Sequence, residues 1–205
     1  MGIRLFGWPN SSASRAQWAL EELGVPYEYV ALDRSKKEHL APAYLAISPT
    51  GKVPGLVDGD QPYFESLAIV LHLAETHGRE RGLWPGSGPT RAEALCWAAW
   101  GSCELHPYMM QYLYHGLDTP VSYAPGDRSK ATADYNHGQF LRLLDALDAR
   151  LEGRDYLLGA FSLADIPAAD ALISGVALGA SLEGRANVER WLDLCRARPA
   201  RARVR

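Results

Sequence analysis

Cysteine is scarce in this chain of 205 residues: Cys96, Cys103 and Cys195 are an odd number and form no Cys-x-x-Cys pair. That pattern suits reduced thiols in a cytoplasm better than a disulfide framework. No apolar run approaches the roughly 18 residues that a membrane-spanning helix needs. Only Met1 and Gly2 precede the first apolar run, so no secretory signal is expected, and Phe6 stands where a myristoylation motif needs Ser or Thr. An excess of basic charge is also missing. Lys and Arg number 21 against 24 Asp and Glu, a formal net charge of −3, so neither nucleic acid nor an acidic membrane is an expected partner. The one basic cluster, Arg196, Arg198, Arg201, Arg203 and Arg205, reads as a helix C-terminus and a solvated tail. There is no phosphate loop and no dinucleotide fingerprint. His72, His77, His115 and His137 lack metal-ligand spacing, and no metal is expected.

What is present supports a full core, since 47% of the residues are hydrophobic. The pattern over residues 1–78 is strand, helix, strand, short irregular helix, strand, strand, helix. It comprises Ile3 to Phe6, a helix over Arg15 to Leu23 stopped by Gly24, Tyr27 to Leu32, the mixed stretch 35–47, a hairpin around Asp58-Gly59, and a helix from Ser66 to Thr76. Residues 79–89 are rich in Gly and Pro and read as a linker. Residues 90–205 carry no convincing strand. Thr90 and Glu93 are spaced as a capping box, Phe140, Leu143, Leu144, Leu147 and Leu151 recur at helical spacing, and Ser162 with Asp165 forms a second cap pair. Pro167 is expected to kink the helix that follows, and a last helix covers about Ala186 to Arg198. The fold class is therefore an α/β domain followed by an all-α domain.

The chemistry concentrates in residues 48–66, SPTGKVPGLVDGDQPYFES. Proline cannot donate to a ladder, so Pro54 marks an edge or turn, with a cis Val53-Pro54 bond expected. The Val53 backbone beside it is open to an extended peptide. Glu65-Ser66 opens an apolar helix whose first N–H groups attract a carboxylate. A second feature is Asn10-Ser11-Ser12-Ala13-Ser14, between the first strand and helix. On composition alone those serines are adequately explained as N-caps, and so is Ser66. The segment from Glu104 to Met110 is explained by packing and a break at Pro107.

Taken together, LFGWPNSSASRAQWALEEL, the Val53-Pro54 and Glu65-Ser66 pairs, and FSLAD at 161–165 resemble the glutathione S-transferase family, in particular its serine-type, phi-like and related bacterial classes. The resemblance covers essentially the whole chain. It implies a thioredoxin-like first domain that binds glutathione as co-substrate and a helical second domain that borders an electrophile pocket. It implies that Ser11, with Ser12 as second choice, contacts the thiol. Ser66 and Glu65 would hold the γ-glutamyl end, the backbone at Val53 and Pro54 the cysteinyl unit, and Lys52 with His39 the glycine carboxylate. Leu40 stands where the family often keeps a second basic residue. His106, Tyr108 and Tyr112 would line the electrophile pocket. The implied protein is a cytoplasmic homodimer acting in detoxification, with a small hydrophobic electrophile or a peroxide as second substrate. Alternatives are a zeta-like isomerase, though Ala13 replaces that class's cysteine, and a non-enzymatic interaction module.

Overall fold

Burial alternates along β1 (Ile3–Gly7): Ile3 and Leu5 are enclosed while Arg4 between them is exposed, the period-2 signature of a strand with one face on a core. The computed structural model describes residues 2–204. They form two compact units, Met1–Gly86 with Pro199–Arg205, and Ser87–Arg198. In the first unit β1 runs parallel to β2 (Tyr27–Ala31) and antiparallel to β3 (Gly55–Asp58), which pairs with β4 (Gln61–Phe64). The sheet order is β2-β1-β3-β4. Parallel neighbours need a crossover, supplied by α1 (Ala13–Leu23), whose Ala16, Trp18, Ala19 and Leu20 are fully buried. Gly24, at φ 59°, ends α1 in the left-handed conformation that favours glycine. The short α2 is Pro42–Leu45, and α3 is Ser66–Leu73, which packs against α1 through a face that includes Ile69, Val70 and Leu73. This is the thioredoxin-like arrangement expected.

The second unit is helical: α4 (Pro89–Trp100), α5 (His106–Gly116), α6 (Lys130–Arg150), α7 (Ile166–Ala177) and α8 (Ala186–Arg196), with one isolated bridge between Leu158 and Ala160. Phe140, Leu143, Leu144 and Leu147 line the buried side of α6, as their spacing predicts, and Leu151 at its C-cap is buried with them. Each such side chain contributes about 1.5–3 kcal/mol by leaving water. Gly101 begins a single π-helical turn, Gly101–Leu105. A β-carbon there would fall 2.8 Å from the Ala168 nitrogen, so only glycine permits α7 to approach this closely.

Local rules compete at several helix ends. Pro89 takes the first position of α4 and Gly88 the cap, which puts Thr90 inside the helix. The expected Thr90–Glu93 capping box is therefore absent, and Glu93 pairs instead with Arg150 at 2.6 Å. Pro167 lies in the first turn of α7, where its missing N–H costs nothing, so the expected clash with the Leu163 carbonyl does not arise. The C-terminal arginines are not a free tail. Arg203 donates to the Glu21 carboxylate at 2.5 Å, and the Arg201 guanidinium lies 5.5 Å from the centre of the Trp18 ring. Arg205 lies outside the described residues.

Asp165 is the polar centre of the helical unit. It is fully buried, and its carboxyl accepts from the N–H groups of Leu157 and Ser162, the Ser162 hydroxyl and the Trp191 indole. Burial pushes this carboxyl above the ordinary range, and the four donors oppose the rise. Asp165→Ala strands those buried donors and is expected to cost about 3–5 kcal/mol of stability. Chemical denaturation checks this; equal unfolding free energies for variant and wild type would refute the role.

Candidate active site

The backbone at Lys52-Val53 is held by side-chain hydroxyls rather than by a ladder. β3 begins only at Gly55, because Pro54 has no N–H to offer, so Val53 and Pro54 precede the strand. The Val53-Pro54 bond is cis, as expected. The Lys52 carbonyl accepts from Tyr44 Oη at 2.7 Å and from Ser48 Oγ at 2.8 Å. The Val53 carbonyl accepts from Ser12 Oγ at 3.0 Å. Among the described residues the Val53 N–H has no partner. Burial pushes the Tyr44 phenol up to about 12, against the opposing Ser48 hydrogen bond. Its bond to Lys52 is therefore present in full below pH 10.0 and lost as pH rises through about 12.

Ser11 and Ser12 do different things. The Ser11 hydroxyl donates to the Trp8 carbonyl at 2.6 Å and accepts from the Ala13 N–H at 3.3 Å. Ser12 is the N-cap of α1 by position but makes no capping bond; its hydroxyl points to Val53 instead. Both serines are half-buried.

Glu65 adopts φ 67° and ψ 120°, an unfavourable conformation for a residue with a side chain, and caps α3 by position. Its side chain is exposed, and Ser66 follows as the first residue of the helix. Arg15, only 3% exposed, donates from Nη1 to Ser66 Oγ at 3.5 Å. That places a buried cation behind the N–H groups at the start of α3, and both favour an anion there.

His39 lies in a 3-10 turn, Glu38–Leu40, with its ring edge-on to Trp8 at 5.4 Å and its buried Nδ1 unpartnered among the described residues. Asp33 orders the loop before it. The Ser35 hydroxyl, then the Lys36 N–H, hold its carboxyl down at about 2. Gly51, at φ 63°, brings the turn before Lys52 against this segment; a β-carbon would sit 3.2 Å from the His39 carbonyl oxygen. Lys52 is exposed, as is Leu40. A cleft of about 560 Å³ in the first unit, lined by Arg4, Phe6, Tyr44 and Val57, includes none of Ser11, Ser12, Val53 or Ser66.

In the second unit, His106 opens α5 and Tyr108 lies edge-on to Tyr135, centres 6.4 Å apart. Tyr112 stacks on His137 at 4.2 Å and borders a cleft of about 370 Å³ lined also by His115, Arg128 and Lys130. His106 and Tyr108 do not line that cleft.

Comparison with known proteins identifies the family. The family described as glutathione S-transferase, N-terminal domain, matches residues 1–75, and its C-terminal domain matches residues 105–199. Glutathione S-transferase F9 of Arabidopsis thaliana is 32% identical over 206 residues, covering 98% of this chain and 94% of that protein. The chain belongs to the glutathione S-transferase family. Glutathione S-transferase GstB of Escherichia coli (strain K12) is also 32% identical, over 98% of this chain and 97% of its own. A Burkholderia graminis glutathione transferase, solved with two glutathione molecules bound per subunit, superposes with a TM-score of 0.87 at 28% identity, over 98% of this chain and 86% of that one.

For this family member, sequence reasoning missed Tyr44, Ser48 and Arg15. A charged residue on the otherwise apolar side of α1 was a visible signal for Arg15; nothing local marked the two hydroxyls. The strain at Glu65 yields a prediction. Glu65→Gly removes a backbone cost of about 1–3 kcal/mol and adds about 0.5–1 of glycine entropy, so the variant should be more stable by about 1 kcal/mol. Thermal unfolding of the ligand-free variant tests it, and an unchanged or lower midpoint contradicts the strain.

Proposed function

We propose that this chain is a serine-type glutathione transferase, which activates the glutathione thiol for attack on small hydrophobic electrophiles or for reduction of peroxides. The observation that carries the reading is the Ser12–Val53 hydrogen bond, which ties the start of α1 to the open peptide edge. The Arg15–Ser66 contact ties α1 in turn to the start of α3. A peptide edge, an anion-attracting helix start and a pair of hydroxyls suit a small acidic peptide bearing a thiol.

In this reading the cysteinyl unit of glutathione pairs with the Val53 backbone beside Pro54. The α-carboxylate of its γ-glutamyl end sits on Ser66, with the positive charge of Arg15 behind, and Glu65 meets the ammonium. Lys52 and His39 receive the glycine carboxylate. Ser11 turns its proton from the Trp8 carbonyl to the thiolate, a gain because hydrogen bonds to charged acceptors contribute about 1.5–3 kcal/mol against about 1 for neutral ones. Adding about 0.3–1 kcal/mol from the α1 N-terminus to this net gain lowers a thiol pKa of about 8.5 by roughly 0.6–2 units. The thiolate then attacks without a separate base. The electrophile is assigned to α5, which carries His106, Tyr108 and Tyr112; of these Tyr112 borders the cleft described above. The free Cys96, Cys103 and Cys195 support a reducing, cytoplasmic setting. A homodimer is the proposed state, with Trp97 and Trp100 of α4 near the contact. A zeta-like isomerase is less well supported, since Ala13, 1% exposed, stands where that class keeps its cysteine.

Two variants test the site. Ser66→Ala should weaken glutathione binding by about 1–3 kcal/mol, the scale of a hydrogen bond to a charged group. Ser11→Ala should raise the bound thiol's pKa by about 1–2 units, about 1.4–2.7 kcal/mol, while affinity changes much less. Calorimetry and pH titration of the thiolate's ultraviolet absorbance read the two effects. Unchanged affinity in the first variant, or an unchanged pKa in the second, would remove the corresponding assignment.

A further inference from the structure

We propose that Ser12 is a positioning residue for the peptide edge, fixing the Val53 peptide unit so that it can pair with the main chain of the ligand, and that it is not the thiol contact. This role rests on the proposed binding of glutathione. A serine at an N-cap normally spends its side-chain oxygen on the N–H of the second or third helical residue. Ser12 occupies that place in α1, at φ −62° and ψ −1°, and makes no such bond. Its hydroxyl instead reaches across 41 positions of sequence to the Val53 carbonyl, 3.0 Å away. The Ser14 N–H, the second of the helix, donates instead to the Ser11 carbonyl, and the Ala13 N–H to the Ser11 hydroxyl oxygen.

The edge needs this bond for a geometric reason. Pro54 interrupts the ladder, so the backbone before β3 has no strand neighbour to set its peptide planes. Tyr44 and Ser48 fix the Lys52 carbonyl from one side. The Val53 carbonyl has Ser12 as its sole partner among the described residues. A carbonyl oxygen carries two lone pairs, so the Ser12 bond leaves one acceptor direction open. The unpartnered Val53 N–H supplies the matching donor. An incoming extended peptide thus meets a donor and an acceptor already oriented, and does not have to order them on binding.

The experiment combines a ligand-free and a ligand-bound readout on Ser12→Ala, with Ser12→Thr to restore the hydroxyl. In the ligand-free proteins, the carbon-13 shift of a labelled Val53 carbonyl should move in Ser12→Ala and return in Ser12→Thr. Affinity for glutathione, and for S-methylglutathione, which has no ionisable thiol, should fall about three- to tenfold in Ser12→Ala, the size of one neutral hydrogen bond. KM should rise by a similar factor with kcat and the bound thiol's pKa unchanged, and Ser12→Thr should recover most of the loss. A raised thiol pKa with unchanged S-methylglutathione affinity would overturn the proposal and make Ser12 the thiol contact. An unmoved carbonyl shift would overturn it at the level of the bond itself. Wild-type protein that binds no glutathione would remove the ligand role together with the proposed function, and the carbonyl shift distinguishes that result from loss of the bond.

Discussion

Pro54 is the constraint on which the first unit's chemistry depends. A residue without an N–H ends the ladder one step before Gly55 and leaves the Lys52 and Val53 peptide groups to find partners elsewhere. They find hydroxyls from three places: Tyr44 on α2, Ser48 in the turn that follows, and Ser12 at the start of α1. Each donor is delivered by a separate local device. Pro42 starts α2, Gly51 lets the turn close on His39, and Gly24 ends α1 so that β2 can return beside β1. The Lys52 carbonyl is thus held by the turn just before it, and the Val53 carbonyl by tertiary packing, from a donor 41 positions away.

The start of α3 is governed by a different balance. Glu65 is held where most side-chain-bearing residues do not go, and such a conformation persists only if its surroundings enforce it. On one side β4 ends at Phe64. On the other, Ile69, Val70 and Leu73 anchor α3 in the core. Arg15 is buried beneath this junction, and an enclosed guanidinium is costly to desolvate unless it meets acceptors. Backbone strain at Glu65 and the enclosed, hydrogen-bonded guanidinium of Arg15 meet beside helix N–H groups that have no intrahelical partners. That combination supports the proposed anion site at the start of α3.

The sequence reveals those parts of the protein that follow from spacing. The helical period of Phe140 to Leu151, the left-handed stop at Gly24 and the strand-helix order of the first unit all depend on neighbours within a few residues. Val53-Pro54 and Glu65-Ser66 could be singled out for the same reason, since each is a local device with a recognisable cause. The partners were not legible. Arg15 acts across the fold, and Tyr44 and Ser48 point to a carbonyl only eight and four residues on through a turn that their own spacing does not announce. The C-terminal arginines read as a solvated tail because charge runs usually are, yet Arg203 reaches Glu21 and Arg201 reaches Trp18. At Thr90 and Pro167 two local rules applied at once. A proline in the first turn fixed the start of each helix and decided the outcome.

The two adjacent serines show how one short motif can serve two physical ends. Ser11 keeps its proton on a neutral carbonyl only 2.6 Å away, a bond that is easily exchanged when a stronger, charged acceptor arrives. Ser12 donates to a carbonyl that, in the proposed function, also receives the ligand, so its bond should be retained on binding. In the proposed function the first hydroxyl turns and the second stays. A helix start can supply both because its first residues lie outside the regular hydrogen-bond ladder, where side chains choose their partners without disturbing the helix. If each hydroxyl keeps its own partner, thiol acidity and peptide affinity become separable properties of neighbouring residues, and either can change without the other.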